Sequence, residues 1–238
     1  MDALKDLSDT QMELVLAAER LFATQGIAAT TIRQINAAAG QKNSSAIHYH
    51  FGSRDAILDA IMALRVTTVN VERAEMIRAA VAEAGDQPLS IEKIIELQMK
   101  PLIDRFLHTQ GPHFSQRFIL QLRMEADTWR RYQRDHQAWT LDDLQRELRR
   151  ARPYVPAEVL RSRFRNAVNF SMFAFAEIEA SEDRLGERYS RDEAIFRIEE
   201  LAGELIALMD APVTSRTAQA LQQLKASGRG APPGILTD

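Results

Sequence analysis

Basic and hydroxyl side chains gather in one stretch of the sequence that has no acidic residue. Between residues 20 and 54 there is no Asp or Glu, although the whole chain carries a formal net charge of −3 and acidic residues resume on both sides. A positive window in an otherwise acidic protein is typical of a phosphate-binding surface. Such windows also occur by chance, so the charge pattern alone leaves both interpretations open. The basic residues of this stretch are Arg20, Arg33, Lys42, His48, His50 and Arg54.

Histidine and carboxylate side chains farther along the chain suggest a second chemistry, general acid–base catalysis, which requires proximity and a tuned pKa. The sequence has no His-x-x-x-His pair, no Gly-rich phosphate loop and no nucleophile elbow. Cysteine is absent, which excludes thiolate metal sites. We therefore predict no catalytic residue, no metal site and no cofactor, and an all-α enzyme is kept as the rival class. Its acid–base candidates are His108, His113, Glu125, Asp127 and His136.

Hydrophobic spacing predicts that the acid-free stretch folds as short helices. Apolar residues recur at i, i+3, i+4 and i+7 from Leu14 to Phe22, the spacing of a buried helical face, and Gly26 ends this first helix. Thr31 and Gln34 have the types and spacing of a capping box, which starts a second helix of about two turns.

The next two helices follow at short intervals. Gly40 ends the second helix, and Asn43 or Ser44 is expected to cap a third that runs to His50. Ser53 is expected to cap a fourth helix, over residues 53–71, that connects to the rest of the chain. The second helix is too short and too apolar to stand alone, so it must pack on the first and present the third outward.

A short helix presented in this way fits the DNA major groove, which is about 12 Å wide. Flanking Thr, Lys and Arg side chains would hold phosphates and set the register. Arg33 has two open roles, a phosphate contact or an ion pair with a nearby carboxylate, whereas His50 and Phe51 are expected to be structural. The residues predicted to contact DNA are Thr31, Arg33, Lys42, Asn43, Ser44, Ser45, His48, Tyr49 and Arg54.

The run TTIRQINAAAGQKNSSAIHYHFGSRDAIL, residues 30–58, resembles the signature of the tetracycline-repressor (TetR) family. The family pattern is matched in order at Ile32, Arg33, Ile35, Ala39, Gly40, Ala46, Ile47, His50, Phe51 and Arg54, and Asp55 and Leu58 fit the places that follow. Three features depart from it: the turn after Gly40 is one residue longer, His48 stands where Tyr is usual, and Asn36 replaces a common Ala. The resemblance implies a helix-turn-helix DNA-binding domain followed by a domain that forms a dimer and encloses an inducer.

Length and composition describe a protein of one large or two modest domains. Of the 238 residues, 45% are hydrophobic and 26% are charged, as in globular proteins. The start MDALKDLSDTQ is not a signal peptide by pattern, and the longest apolar tract, near residues 170–176, is shorter than the roughly 18 to 20 residues that span a bilayer. We expect a cytoplasmic protein without a membrane partner.

The expected architecture is all-α, because helical periodicity continues along the chain and strand-like alternation is nearly absent. We predict a three-helix DNA-binding domain over residues 1–52 and a larger helical ligand-binding and dimerisation domain over 53–211. Residues 212–238, which include SGRGAPPGILTD, are predicted to form a flexible tail.

Two apolar segments, residues 156–181 and 191–209, carry more hydrophobic surface than one face can bury. This favours a four-helix interface between two copies of the chain, with ordinary core as the alternative. The residues predicted to form the dimer interface are Val168, Met172, Phe175, Ile198, Leu201 and Leu205.

Aromatic and Met side chains with isolated polar groups among them suggest a pocket for an apolar or amphipathic effector, although such stripes are more often core. The dense arginines of residues 146–165 could hold an anion but are better explained as a solvated face. The predicted function is a ligand-responsive repressor that binds a near-palindromic operator as a dimer, with a ligand-independent DNA-binding protein as the alternative. The pocket candidates are Met99, Phe106, Phe114, Phe118, Leu122, Met124, Trp129, Asn169 and Phe173.

Overall fold

A computed structural model describes residues 7–43, 45–108, 113–135 and 139–227. In this part of the chain the secondary structure is helical and no β-strand occurs, which confirms the all-α prediction. No helix within it is long and apolar enough to cross a membrane. The helices are α1 (Asp9–Gln25), α2 (Ile32–Ala38), α3 (Ala46–Phe51), α4 (Arg54–Met62), α5 (Thr68–Ala84), α6 (Ile91–His108), α7 (Ser115–Met124), α8 (Ala126–Asp135), α9 (Trp139–Ala151), α10 (Ala157–Leu185), α11 (Arg191–Asp210) and α12 (Ser215–Ala226).

Side-chain caps set the helix starts near the N-terminus. Thr31 and Gln34 form the predicted capping box, with Gln34 N 3.3 Å from Thr31 Oγ1 and Thr31 N 2.8 Å from Gln34 Oε1. Ser53 caps α4 as predicted, accepting from Ala56 N at 3.1 Å. The start of α3 differs from the prediction: its N-cap position is Ser45, whose side chain makes no capping hydrogen bond.

The connecting helix is longer than the sequence analysis expected. α4 continues through a π-helical segment, Ala63–Thr67, directly into α5, so the helix ends at Ala84 and not near residue 71. No Gly or Pro lies between Ser53 and Gly85, so this stretch lacks the residues that usually terminate a helix.

The described helices belong to two compact units. The first unit comprises residues 1–71, 109–137 and 172–189, and the second comprises 72–108, 138–171 and 190–238. The first unit includes the predicted DNA-binding domain of residues 1–52 and extends beyond it. Side chains of α7 and α8 share the core of the first four helices, which places these later segments in the first unit.

The core of the first unit is built from helices distant in sequence. Phe22 of α1 and Phe118 of α7 are both fully buried, with ring centroids 6.1 Å apart. Tyr132 of α8 is 1% exposed, and its hydroxyl donates to Asp55 O at 3.3 Å. The other apolar residues of this core include Leu14, Ala18, Ile35, Ile47, Ile57, Leu58, Ile61, Ile119 and Leu122.

In the second unit α6 packs against α9 and α11. α12 also belongs to this unit and is almost wholly exposed; Thr214 caps it by accepting from Thr217 N at 3.1 Å. This helix differs from the flexible tail expected from residue 212 onward, because a good cap and a run of helix-favouring residues suffice to form it. The end of the predicted tail, residues 228–238, lies outside the described residues.

Candidate nucleic-acid interface

The third helix buries one side and exposes the other. Ala46 and Ile47 are buried against the core of the first unit, whereas Ser45, His48 and Tyr49 are exposed, Tyr49 by 84%. The aromatic ring of Tyr49 meets the His50 ring edge-on, with centroids 4.9 Å apart. α3 is therefore held by its apolar side and presents polar and aromatic side chains outward.

The turn between α2 and α3 begins with a Schellman motif. Gly40 N donates to Ala37 O at 3.1 Å and Gln41 N donates to Asn36 O at 2.9 Å, which satisfies the last carbonyls of α2. Gly40 has a φ of 68°, a left-handed conformation that only glycine adopts without strain. The backbone conformation at this position therefore explains why the sequence pattern has Gly after Ala39.

Asn36 also contacts the start of α3 directly. Its side chain is 2% exposed, and its Oδ1 atom accepts a hydrogen bond from Ile47 N at 3.3 Å. The sequence analysis noted Asn36 only as a departure from a common Ala and gave it no role. The signal that could have revealed a role is its position: a polar residue on the apolar side of a short helix needs a hydrogen-bond partner.

Two predicted phosphate-contacting residues, Arg33 and Lys42, have exposed side chains. Arg54 is partly buried, with its guanidinium carbon 5.4 Å from the Phe22 ring centroid, and its Nε and Nη2 atoms have no hydrogen-bond partner among the residues that the structure describes. The Thr31 hydroxyl is used in the capping box and donates to Gln34 Oε1 at 2.7 Å. Arg33 and Lys42 are thus open to solvent, whereas the guanidinium of Arg54 lies over an aromatic ring of the core.

The remaining predicted contacts lie in or beside the turn. Asn43 is exposed, and its Oδ1 atom accepts from Ser45 N at 2.9 Å, which stiffens the turn before α3. His48 Nδ1 lies 3.2 Å from Gly52 O at the other end of the helix. Ser44 lies outside the described residues.

An ion pair with one buried partner joins α1 to the π-helical segment Ala63–Thr67. Glu19 is 2% exposed, and Arg65 binds it through two bonds, Nε–Oε1 at 2.7 Å and Nη2–Oε2 at 2.6 Å. The carboxylate of Glu19 raises the pKa of Arg65 against the opposing effect of burial. Such bidentate geometry fixes the relative position of α1 and the segment more precisely than apolar contact could.

Within the first unit, a second buried carboxylate holds the start of α7. Glu179 of α10 is 3% exposed and accepts hydrogen bonds from Ser115 Oγ at 3.0 Å, Gln116 N at 2.9 Å and Arg117 N at 2.9 Å. Burial raises the pKa of Glu179 to about 7, although these hydrogen bonds act to lower it. α7 in turn contributes Phe118 to the core that it shares with α1 to α4.

The predicted pocket residues do not share one environment. Phe118 and Leu122 are fully buried in the core of the first unit, and Phe114 and Trp129 pack against it. In the second unit, Met99 and Phe106 are buried and Asn169 is half-buried. Met124 and Phe173 are 83% and 60% exposed.

Most predicted dimer residues are buried within their own chain. Val168, Phe175, Ile198, Leu201 and Leu205 are at most 8% exposed, and Met172 packs against the core of the first unit. These side chains have little surface left to bury against a partner. Other apolar residues of α10 and α11 face outward: Phe170 is 51% exposed, Ile195 40% and Phe196 66%.

Three of the acid–base candidates make ordinary structural contacts. His113 Nδ1 lies 2.7 Å from Glu182 Oε2, and His108 Nδ1 lies 2.7 Å from Asp104 O of its own helix. Asp127 pairs with Arg130 on the surface of α8. His136 lies outside the described residues.

Comparison with known families agrees with this geometry. Residues 14–61, which include α2, α3 and the turn between them, match the family model described as bacterial regulatory proteins of the tetR family. Residues 96–211 match the model described as the tetracyclin repressor-like C-terminal domain. A search of curated proteins gave no significant match. The two matches together cover about two thirds of the 238 residues. The chain belongs to the tetracycline-repressor (TetR) family of helix-turn-helix, DNA-binding transcriptional regulators.

Proposed function

We propose that this regulator is a repressor that binds a near-palindromic operator as a homodimer and is released by an apolar or amphipathic small molecule. The observation that carries the proposal is the outward face of α3, where Ser45, His48 and Tyr49 are exposed within a stretch free of acidic residues. Such a face can enter the major groove without repelling phosphates.

The exposed apolar side chains of α10 and α11 support a dimer. Phe170, Ile195 and Phe196 are too large and too exposed to be explained by the core of one chain. A dimer is also what a palindromic site requires, because two reading heads must meet successive major grooves about 34 Å apart. We therefore assign the interface to these residues, in place of the buried ones selected from the sequence.

The contacts of α7 support a response to a ligand. α7 belongs to the segment that matches the C-terminal family model, yet it places Phe118 and Leu122 in the core that holds α1 to α4. α10 contributes residues to both units and holds the start of α7 through Glu179. A ligand that shifts α10 can therefore alter the packing under the DNA-reading surface, provided that it binds the shifted form more tightly.

We infer that the effector binds in the second unit, which contains three of the pocket candidates: the apolar Met99 and Phe106 and the half-buried amide of Asn169. The effector would be mostly apolar, because burial of its apolar surface among apolar side chains stabilises the complex. A coupling free energy of about 1 to 3 kcal/mol between ligand and operator would be typical of such regulators.

The test begins with selection of duplexes from a random-sequence pool by the purified protein. Near-palindromic enriched sequences, bound by two chains, are expected; enrichment of no sequence would refute operator binding. A library of apolar and amphipathic compounds is then screened for release of the enriched duplex. Reciprocity provides the control, because saturating duplex must weaken ligand binding by the same factor. A protein that binds the duplex but responds to no compound fits the ligand-independent alternative.

A further inference from the structure

Asn36 is bonded to both sides of the turn between α2 and α3. Its backbone oxygen accepts from Gln41 N at 2.9 Å and so closes the end of α2, while its side-chain Oδ1 accepts from Ile47 N at 3.3 Å in the first turn of α3. The residue is 2% exposed, so both bonds are shielded from water. One residue therefore accepts a hydrogen bond from the turn and another from the first turn of α3.

The start of α3 needs such a partner. The first N–H groups of a helix lack acceptors within the helix, and a side chain at the N-cap position usually supplies one. At Ser45 that side-chain bond is not made. Ala46 N reaches Asn43 O at 3.2 Å in the exposed turn, and Ile47 N, which faces the core, is satisfied by Asn36.

The contact matters because α3 has only six residues. A helix of this length is not stable alone, and its orientation must come from its surroundings. Burial of Ala46 and Ile47 sets how deeply α3 sits, but apolar contact has no preferred direction. A hydrogen bond does have one, so the bond to Asn36 limits rotation of α3 about its own axis.

We propose that Asn36 is a positioning residue for DNA recognition: its side chain sets the rotation of α3 and thereby the direction in which Ser45, His48 and Tyr49 meet the bases. Asn36 touches no DNA in this arrangement. This links two departures from the family pattern, the longer turn after Gly40 and Asn36 in place of Ala. The side-chain oxygen of Asn36 accepts the hydrogen bond that a capping side chain in the turn would otherwise accept. The inference rests on the proposed role of α3 as the reading helix.

The experiment compares Asn36→Ala with Ile35→Val. Ile35 is the preceding residue of the same helix and is fully buried, so its loss of a methylene loosens the core without removing the hydrogen bond. Affinity is measured for the duplex that the wild-type protein enriches from a random pool and for a scrambled duplex of equal length. In Asn36→Ala we expect the ratio of the two affinities to fall about tenfold, the effect of one lost base contact. The dependence of affinity on salt should be unchanged, since phosphate contacts remain. Ile35→Val should keep the ratio.

Hydrogen exchange gives a readout that needs no DNA. The Ile47 amide should be protected in the wild-type protein and in Ile35→Val, and should lose protection in Asn36→Ala. Asn36→Asp, which keeps the acceptor oxygen, should recover much of that protection. An unprotected Ile47 amide in the wild-type protein, or equal affinity ratios in Asn36→Ala and Ile35→Val, would overturn the proposal. If no duplex is enriched, the proposed operator binding is refuted. Hydrogen exchange then tests separately whether Asn36 bonds the Ile47 amide.

Discussion

Arg73 donates a hydrogen bond from Nε to the carbonyl oxygen of Leu97 at 3.3 Å, in the second unit. That oxygen lies four residues before Pro101, inside α6, and proline has no N–H to offer it. Arg73 also donates from Nη2 to Gln98 O at 3.1 Å and from Nη1 to Thr140 Oγ1 at 3.3 Å. The buried guanidinium therefore completes the hydrogen bonding of a helix that proline interrupts, and its burial lowers the pKa of Arg73 to about 10.

A double-mutant cycle tests this relationship. Arg73→Met should lower the free energy of unfolding by about 2 to 4 kcal/mol, because buried carbonyls lose their donor. In the background of Pro101→Ala the same change should be milder by about 1 kcal/mol, since the backbone N–H that this substitution restores can serve Leu97 O. Urea unfolding of the four proteins measures both values. Purely additive effects would mean that Arg73 does not compensate for the proline.

Glu179 makes stability depend on pH near neutrality. Burial raises the pKa of Glu179 to about 7 from an ordinary value of 4.5, so the folded protein binds the proton more tightly than the unfolded chain does. Its contribution to stability is fully present below pH 4.5 and is lost as the pH rises through 7. The loss amounts to at most about 3 kcal/mol over that range.

Glu179→Gln removes this titration while keeping an acceptor for the N-terminus of α7. The difference in unfolding free energy between the wild-type protein and Glu179→Gln should therefore decline from pH 4.5 to 7 and then level off. Glu177→Gln is the matched control, because Glu177 lies two residues earlier on α10 and is exposed. A difference that is constant with pH would show that Glu179 stays ionised when buried.

Lys42 and Tyr49 should affect DNA binding in different ways. Lys42→Ala is expected to weaken binding to all sequences and to lower the slope of log affinity against log salt by about 1. Tyr49→Ala should weaken the selected duplex more than a scrambled one, because an 84% exposed ring on α3 can contact base edges. Fluorescence anisotropy at several salt concentrations separates the two effects. Lys93→Ala, at a partly exposed position, and Tyr154→Ala, at an exposed one, serve as controls. Undiminished affinity in both test variants would refute the assignment.

Charge placed on α11 should distinguish a dimer interface from the core of one chain. Phe196→Glu is expected to give folded monomers, with the dissociation constant raised at least about 100-fold, because an uncompensated charge in an interface costs about 3 kcal/mol or more. Leu205→Glu should unfold the protein instead, since Leu205 is fully buried within its own chain. Sedimentation and circular dichroism report both outcomes. A stable dimer of Phe196→Glu would place the interface elsewhere.

Local patterns were sufficient to predict the elements of the DNA-binding motif, apart from the cap of α3. The capping box of Thr31 and Gln34, the Ser53 cap and the turn at Gly40 each involve residues within a few positions of one another, and short-range hydrogen bonds and backbone preferences decide them. The all-α class followed from helical periodicity for the same reason. The family resemblance was also contained in one continuous run of residues.

Contacts between distant residues were decided only by the tertiary structure. Periodicity shows that Leu205 and Phe196 lie on different sides of α11 but not which side meets the chain's own core. Five of the six residues predicted for the dimer interface lie in that core. Phe118 was selected for a pocket and lies in the core under α1, because nothing in the sequence pairs α7 with a helix so far before it in the chain. The position of Asn36 on the apolar side of α2 indicates that it needs a hydrogen-bond partner, but the sequence does not identify Ile47 as that partner, since the bond exists only once α2 and α3 have packed together.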